Sequence, residues 1–178
     1  MIEYHRAVAN LLQSHSDPSH CWRELLRLVG QSSLGKFEGI EIEADIHDLA
    51  GQLRTIWSHE PIPPSVTFLY FGLYDRYQQA PATTHVGFYV SGGDGDPTHE
   101  LTTGNLAYLP MRRQLDSNVL NQVKGAKPDS TDQADLFEYA LMLGGAALVS
   151  RAAVESLAIS LPVYAGFDSG DFVLASRQ

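Results

Sequence analysis

The segment Val66–Tyr74, which reads VTFLYFGLY, limits the fold of this 178-residue chain more than any other feature. It is almost continuously apolar and rich in β-branched and aromatic residues, a composition typical of a strand inside a sheet. Three prolines come before it, at positions 61, 63 and 64, and they end any preceding helix. The sequence therefore predicts a central strand over Val66–Tyr74.

Other segments predict strands that join the same sheet. His85–Val90 is expected to pair antiparallel with the first strand and to end at the glycines of Gly92–Gly95. The C-terminal segment PVYAGFDSGDFVLAS has two apolar runs about the turn Asp168–Asp171, which is a hairpin signature. Isoleucine and glutamate alternate over residues 40–43, and this alternation predicts a short edge strand.

Helical spacing of apolar residues predicts the remaining elements. Two helices, over 2–12 and 19–29, are expected to form an N-terminal hairpin. A third helix is expected to start from an Asp45 N-cap, and Ser117 is expected to cap a short helix. A long helix follows over 131–157, with a kink or a close helix crossing at Gly144-Gly145. The predicted fold class is α+β: a mostly antiparallel sheet packed against helices, with an N-terminal helical hairpin, in one globular domain over 1–178.

The net charge of the chain favours some classes of partner and disfavours others. The chain has 12 Lys and Arg against 21 Asp and Glu, for a formal net charge of −9. Such a surface repels phosphate backbones on average, so we expect no nucleic-acid ligand. The same charge favours a basic protein as partner, because complementary fields speed encounter. The alternative is that the acidic surface serves solubility only.

Cys21 is the one cysteine of the chain, so no intramolecular disulfide can form. A reducing, cytoplasmic location is therefore expected. Residues Met1–Asn10 lack the basic and apolar regions of a secretory signal. Leu136–Val149, the most apolar stretch, contains Glu138 and is shorter than the roughly 18 to 20 residues that span a bilayer. It predicts a buried core helix, and we expect no membrane partner.

Motifs for catalysis and cofactors are weak. Gly30–Lys36 matches the start of a phosphate-binding loop, but Phe37 stands where that loop needs a hydroxyl, so a loop that ends a helix is favoured. Cys21 beside His20 could form a reactive thiolate, but sequence neighbours need not face each other, and a half-buried structural cysteine is favoured. His15 and His20 flank Asp17, yet a solvated turn is favoured over a metal site. We predict no catalytic residue, cofactor or metal.

Four aspartates are the predicted partner-binding residues: Asp94, Asp96, Asp168 and Asp171. All follow predicted strands, and loops on a rigid scaffold commonly carry function. Two alternatives remain open for them. They could be ordinary turn residues, or they could join Asp75 around one end of the sheet as a carboxylate cluster of a small-molecule or metal-dependent hydrolase.

Two segments carry a resemblance to known proteins: LYFGLYD over Leu69–Asp75 and GFDSGDF over Gly166–Phe172. With the proline-rich stop before the first, they resemble bacterial proteins of uncharacterised activity in the style of the acidic immunity proteins of polymorphic toxin systems. The resemblance implies a non-enzymatic protein-binding or immunity-type inhibitor and transfers no functional residue. A structural subunit of a larger assembly is a third reading. The oligomeric state is not predicted.

Overall fold

The computed structural model describes residues 2–30, 37, 39–74, 86–126 and 132–176, with the backbone alone for 2–3 and 132–137. Its helices are α1 (Ile2–Ser14), α2 (Pro18–Val29), α3 (Ile42–His59), α4 (Pro97–Thr103), α5 (Asn118–Gly125) and α6 (Asp132–Ser156). Its strands are β1 (Phe68–Tyr74), β2 (Gly87–Gly93), β3 (Gln114–Leu115), β4 (Val163–Phe167) and β5 (Phe172–Leu174). Asp75, His85 and residues 31–36 of the candidate phosphate loop lie outside the described residues.

The five strands form one mixed sheet in the order β3-β2-β1-β4-β5. β1 is central, as predicted; it pairs antiparallel with β2 and parallel with β4. The C-terminal hairpin is also confirmed, since β4 and β5 pair antiparallel about the turn after Phe167. The α+β class with a mostly antiparallel sheet is therefore correct, and α1 and α2 contact each other as the predicted hairpin.

The long helix α6 is the middle layer of the molecule. It contacts β1, β4 and β5 of the sheet and also contacts helices α1, α2, α3 and α5. Every residue over 140–151 is buried. The sheet turns one face towards this core, with the side chains of Leu69, Phe71, Leu73, Phe88, Val90, Val163, Ala165 and Val173. Among the described residues, no helix combines the length and apolarity that crossing a membrane requires.

Arg151 brings a charge into this core. Only 1% of the residue is exposed, and its guanidinium donates to the carbonyl oxygens of Leu12, His15 and Ala175. The first two carbonyls lie at the C-terminal end of α1, where the partial negative charge of the helix favours a cation. Arg151 therefore joins α6 to the end of α1 and to the chain that follows β5.

Two predictions around the third helix are wrong. Residues 40–43 form no edge strand: Ile42 is the first residue of α3, and Glu41 precedes the helix as its N-cap residue. Four alternating residues fit a helix start equally well, because Ile42 lies on the same helix face as the buried Leu49. Asp45 is not an N-cap of α3 but lies buried inside it.

The Asp45 carboxylate instead caps α5, more than 70 residues further along the chain. It accepts hydrogen bonds from Ser117 Oγ (2.6 Å), the Asn118 amide (2.7 Å) and the Val119 amide (3.4 Å). Ser117 also caps α5 itself, as predicted, by accepting from the Leu120 amide. Burial raises the pKa of Asp45 above its ordinary value, against the opposing effect of these hydrogen bonds.

The chain after β2 also differs from expectation. The strand does not stop before its glycines, since Gly92 and Gly93 pair with Leu69 and Phe68 of β1. No helix was predicted over 94–110, yet α4 begins there at the Asp96 N-cap, with Pro97 as its first residue. Tyr108 forms a single antiparallel bridge with Gly92.

The crossing of α2 and α6 gives a matched test. A Cβ on Gly144 would lie 2.6 Å from Cδ2 of Leu25, so Gly144→Ala is expected to lower the free energy of unfolding by about 1–3 kcal/mol. A Cβ on Gly145 would meet its nearest atom, Leu120 Cδ2, at 3.4 Å, which is an ordinary contact. Gly145→Ala is therefore expected to raise the free energy of unfolding by up to about 1 kcal/mol, because alanine has the higher helix propensity. Urea unfolding measures both, and equal effects would contradict the close crossing.

Asp45→Ala is expected to lower the free energy of unfolding by about 1–3 kcal/mol, because it leaves buried donors of α5 without an acceptor. The control is Asp48→Ala, at an exposed position of the same helix, which should change the free energy of unfolding by less than about 0.5 kcal/mol. Since the folded-state pKa of Asp45 is raised, its contribution is complete below the unfolded value of about 3.9 and declines as pH rises through the folded value. A wild-type advantage that grows over this pH range would contradict the raised pKa.

Candidate functional site

The second face of the sheet, turned away from α6, is rich in tyrosine. Side chains alternate along β1, so Phe68, Tyr70, Gly72 and Tyr74 lie on the face opposite Leu69, Phe71 and Leu73. Tyr89 of β2 stands directly opposite Gly72, and Tyr74 stands directly opposite Gly87. This surface, formed by Tyr70, Tyr74 and Tyr89, is called the tyrosine face below.

The two glycines allow the tyrosine rings to lie against the backbone. A Cβ built on Gly72 would overlap the ring of Tyr89, and one built on Gly87 would overlap the ring of Tyr74. The rings thus cover the strand positions that have no side chain. The centroids of Tyr70 and Tyr74 lie 6.1 and 6.0 Å from that of Tyr89, within the usual range for aromatic pairs.

A cavity of about 580 Å³ opens over the tyrosine face. Its volume lies within the range of small-molecule and side-chain sites, roughly 300–1,000 Å³. The segment that follows β2 supplies an apolar wall, while β3, the residue before it and the turn after β4 supply polar groups. The lining residues are Tyr70, Tyr74, Tyr89, Leu101, Gly104, Leu106, Leu109, Arg113, Gln114 and Asp168.

Hydrogen bonds fix the orientation of two tyrosine hydroxyls. Tyr89 donates to Asp168 Oδ1 at 2.6 Å, and Tyr74 donates to Gln114 Oε1 at 2.7 Å. Tyr70 is only 5% exposed, and its hydroxyl has no hydrogen-bond partner in the described part of the chain. The Arg113 guanidinium carbon lies 6.0 Å from the centroid of the Tyr89 ring, over its face.

Burial and the Asp168 charge keep these phenols protonated. Burial is the larger cause and raises the pKa of both Tyr70 and Tyr89 above the ordinary tyrosine value. The hydrogen bond to Asp168 raises the pKa of Tyr89 further, while the charge of Arg113 lowers it slightly. Tyr89 therefore acts as a hydrogen-bond donor to Asp168, and its oxygen lone pairs remain available as acceptors.

A turn at one side of the cavity exposes apolar side chains. Leu109, which lines the cavity, is 49% exposed, and Met111 is 89% exposed. The Glu60 carboxylate at the end of α3 accepts from the amides of Met111 (2.9 and 3.1 Å) and Arg112 (3.4 Å). The turn is thus tied to the helical layer, and Met111 is held in solvent by a fixed backbone.

The four predicted partner-binding aspartates do not share one end of the sheet. Asp94 and Asp96 follow β2, whose end pairs with Phe68 at the start of β1. Asp168 and Asp171 follow β4, whose end pairs with Leu73 near the end of β1. The strand register therefore separates the two aspartate pairs, and only Asp168 of the four lines the cavity.

The individual aspartates differ in their contacts. Asp96 accepts from the His99 amide at 2.8 Å and so caps α4, and Asp94 is exposed on the loop before it. Asp171 is exposed in the hairpin turn and interacts with Tyr139, whose pKa is raised to about 12 by burial and by this carboxylate. Their role in binding a partner stays a prediction.

The structure also shows where the candidate metal ligands and the cysteine lie. Within the described ranges, no group of three or more His, Cys, Asp or Glu side chains is placed to hold a metal ion. Asp17, between His15 and His20, caps α2 by accepting from the His20 amide. Cys21 is fully buried among the core residues of α2, more deeply than the half-buried position expected.

The chain was compared with protein-family models, curated proteins and solved structures, and none of the three comparisons finds a match.

Sequence reasoning missed the tyrosine face although a signal for it exists. Within Val66–Tyr74, every second residue from Phe68 is aromatic or glycine, and both tyrosines fall in this set. The intervening residues are purely apolar, so the two faces of the strand differ in polarity. Arg113 and Gln114 carry no comparable local signal, because they join the site through pairing of β3 with β2.

Asp168→Asn is expected to lower the pKa of the Tyr89 phenol, because it removes the carboxylate charge that favours the protonated form. The pKa should stay above the ordinary value of about 10, since burial is the larger cause. NMR titration of ring-labelled tyrosines measures it. Tyr108, whose pKa is raised to about 12 by burial and by Glu60, is the control and should not change. An unchanged Tyr89 pKa would contradict the hydrogen bond.

Proposed function

We propose that this protein is a non-enzymatic binding protein of the immunity type, which holds a basic protein partner against the tyrosine face. The observation that carries the proposal is the position of Asp168. This exposed carboxylate borders the aromatic cavity, and no cation of the described residues lies within ion-pair distance of it. A basic side chain from a partner would meet both the carboxylate and the ring faces.

The surroundings of the cavity support a protein partner. Aromatic side chains and methionine are enriched at protein interfaces, and binding energy concentrates on a few rigid anchors. The tyrosine rings are fixed by neighbouring strands, and the Met111 turn is fixed by Glu60. The net charge of −9 supplies a field that attracts a basic protein over a longer range.

The hydrolase alternative needs carboxylates that converge at one sheet end. The strand register places the two aspartate pairs at opposite ends of β1, so this arrangement does not support it. The structure offers no specific observation for a role as a structural subunit.

A basic protein encoded beside this chain is the partner to test, by stopped-flow association at low and moderate salt. Asp168→Asn with Asp171→Asn should slow association roughly two- to tenfold at low salt and flatten its salt dependence. The matched double variant, Asp94→Asn with Asp96→Asn, removes the same charge at the other end and should slow it less. Asparagine at 96 keeps the cap of α4, because its side-chain oxygen still accepts from the His99 amide.

Two outcomes would refute the proposed function. One is that the neighbouring basic protein does not bind the purified chain. The other is that both double variants associate at the wild-type rate at every salt concentration, which would assign the aspartates to turn geometry alone.

A further inference from the structure

Apart from the Arg113 guanidinium and the Gln114 amide group, the polar side chains that line the cavity are three phenols and the Asp168 carboxylate. A hydroxyl has one hydrogen to donate. The Tyr89 hydroxyl donates its hydrogen to Asp168, and the Tyr74 hydroxyl donates its hydrogen to Gln114. The oxygen lone pairs of both phenols and the Asp168 carboxylate therefore remain to accept from a ligand. A ligand rich in donors and without acceptors matches this set. Among protein groups, guanidinium and ammonium have that character.

The ring faces distinguish between these two cations. A planar guanidinium stacks on aromatic faces and donates through a rigid fork, whereas an ammonium is a compact and strongly hydrated charge. The molecule already contains one such contact, because the Arg113 guanidinium lies over the Tyr89 ring at 6.0 Å. Arg113 is also a lining residue of the cavity. This contact shows that a guanidinium can lie over a ring of the tyrosine face.

The apolar wall fits the rest of an arginine side chain. Leu101, Leu106 and Leu109 line the cavity together with the tyrosine rings. The methylene stem of an arginine packs on such surfaces while its head reaches polar groups. Tyr70 adds a hydroxyl at the cavity wall that has no hydrogen-bond partner among the described residues and whose oxygen can accept a further N–H.

We propose that the cavity over the tyrosine face is a guanidinium site, which receives one arginine side chain of the basic partner. Arg113 is its internal competitor: it holds part of the same aromatic surface until the partner arginine arrives. This inference rests on the proposed function for the source of the arginine. The chemistry of the cavity itself belongs to this chain alone and is tested without any partner.

The probe is N-acetyl-arginine amide, titrated into the purified chain and followed by NMR of ring-labelled tyrosines. Binding should be saturable with a dissociation constant of roughly 1 mM. The ring signals of Tyr70, Tyr74 and Tyr89 should shift together. The citrulline analogue has the same shape without the charge and should bind at least tenfold more weakly. Equal binding of both compounds, or no shift at these tyrosines, would overturn the proposal.

Three variants locate the site. Asp168→Asn should weaken binding of the arginine compound several-fold, because it removes the anionic acceptor. Tyr164→Phe is the matched control: Tyr164 lies on the same sheet face but packs against Phe68 and Phe172, so binding should be unchanged. Arg113→Gln should strengthen binding several-fold by removing the internal competitor, and weakened binding in this variant would refute that role.

The result separates this inference from the proposed function. If the basic protein binds but the arginine compound does not, the guanidinium site is wrong and the proposed function stands. If the compound binds as expected and the basic protein does not, the site stands and the proposed function is wrong.

Discussion

The complete burial of α6 over 140–151 is the constraint on which the rest of the structure depends. A helix buried on all sides needs the sheet on one side and several helices on the other, and both are present. It can contain a charge only where acceptors replace water. Arg151 meets that condition through three carbonyl oxygens, two of them at the end of α1. Through these hydrogen bonds, α6 holds both the end of α1 and the chain that follows β5.

This arrangement decides which sheet face is free for binding. α6 takes the face with Leu69, Phe71 and Leu73, so the opposite face of β1 is left for other contacts. That face contains hydroxylated rings in place of aliphatic side chains, and α4 with its following segment covers it only in part. The core and the candidate site are therefore two sides of the same strand, separated by the alternation of its side chains.

Local chemistry in the sequence was sufficient for much of the fold. The apolar run of β1, the Asp168–Asp171 turn and the Ser117 cap each act over a few residues, and all three were predicted correctly. The alternation over 40–43 failed because so short a pattern does not distinguish a strand from a helix start. Asp45 looked like the cap of its own helix, yet it caps α5, which is distant in sequence. The alternation along β1 was a local signal for the tyrosine face, but Arg113, Gln114 and Asp168 reach the site only through strand pairing, which no local pattern reveals.

The pairs Gly72–Tyr89 and Gly87–Tyr74 also have a consequence for strand alignment. If β2 slipped by two residues along β1, its side chains would keep their faces, but Tyr89 would stand opposite Tyr70 or Tyr74 instead of a glycine. Two rings would then compete for one position, and the misaligned sheet would be disfavoured. The two glycines that give the tyrosine face its shape thus also keep β1 and β2 in their native alignment.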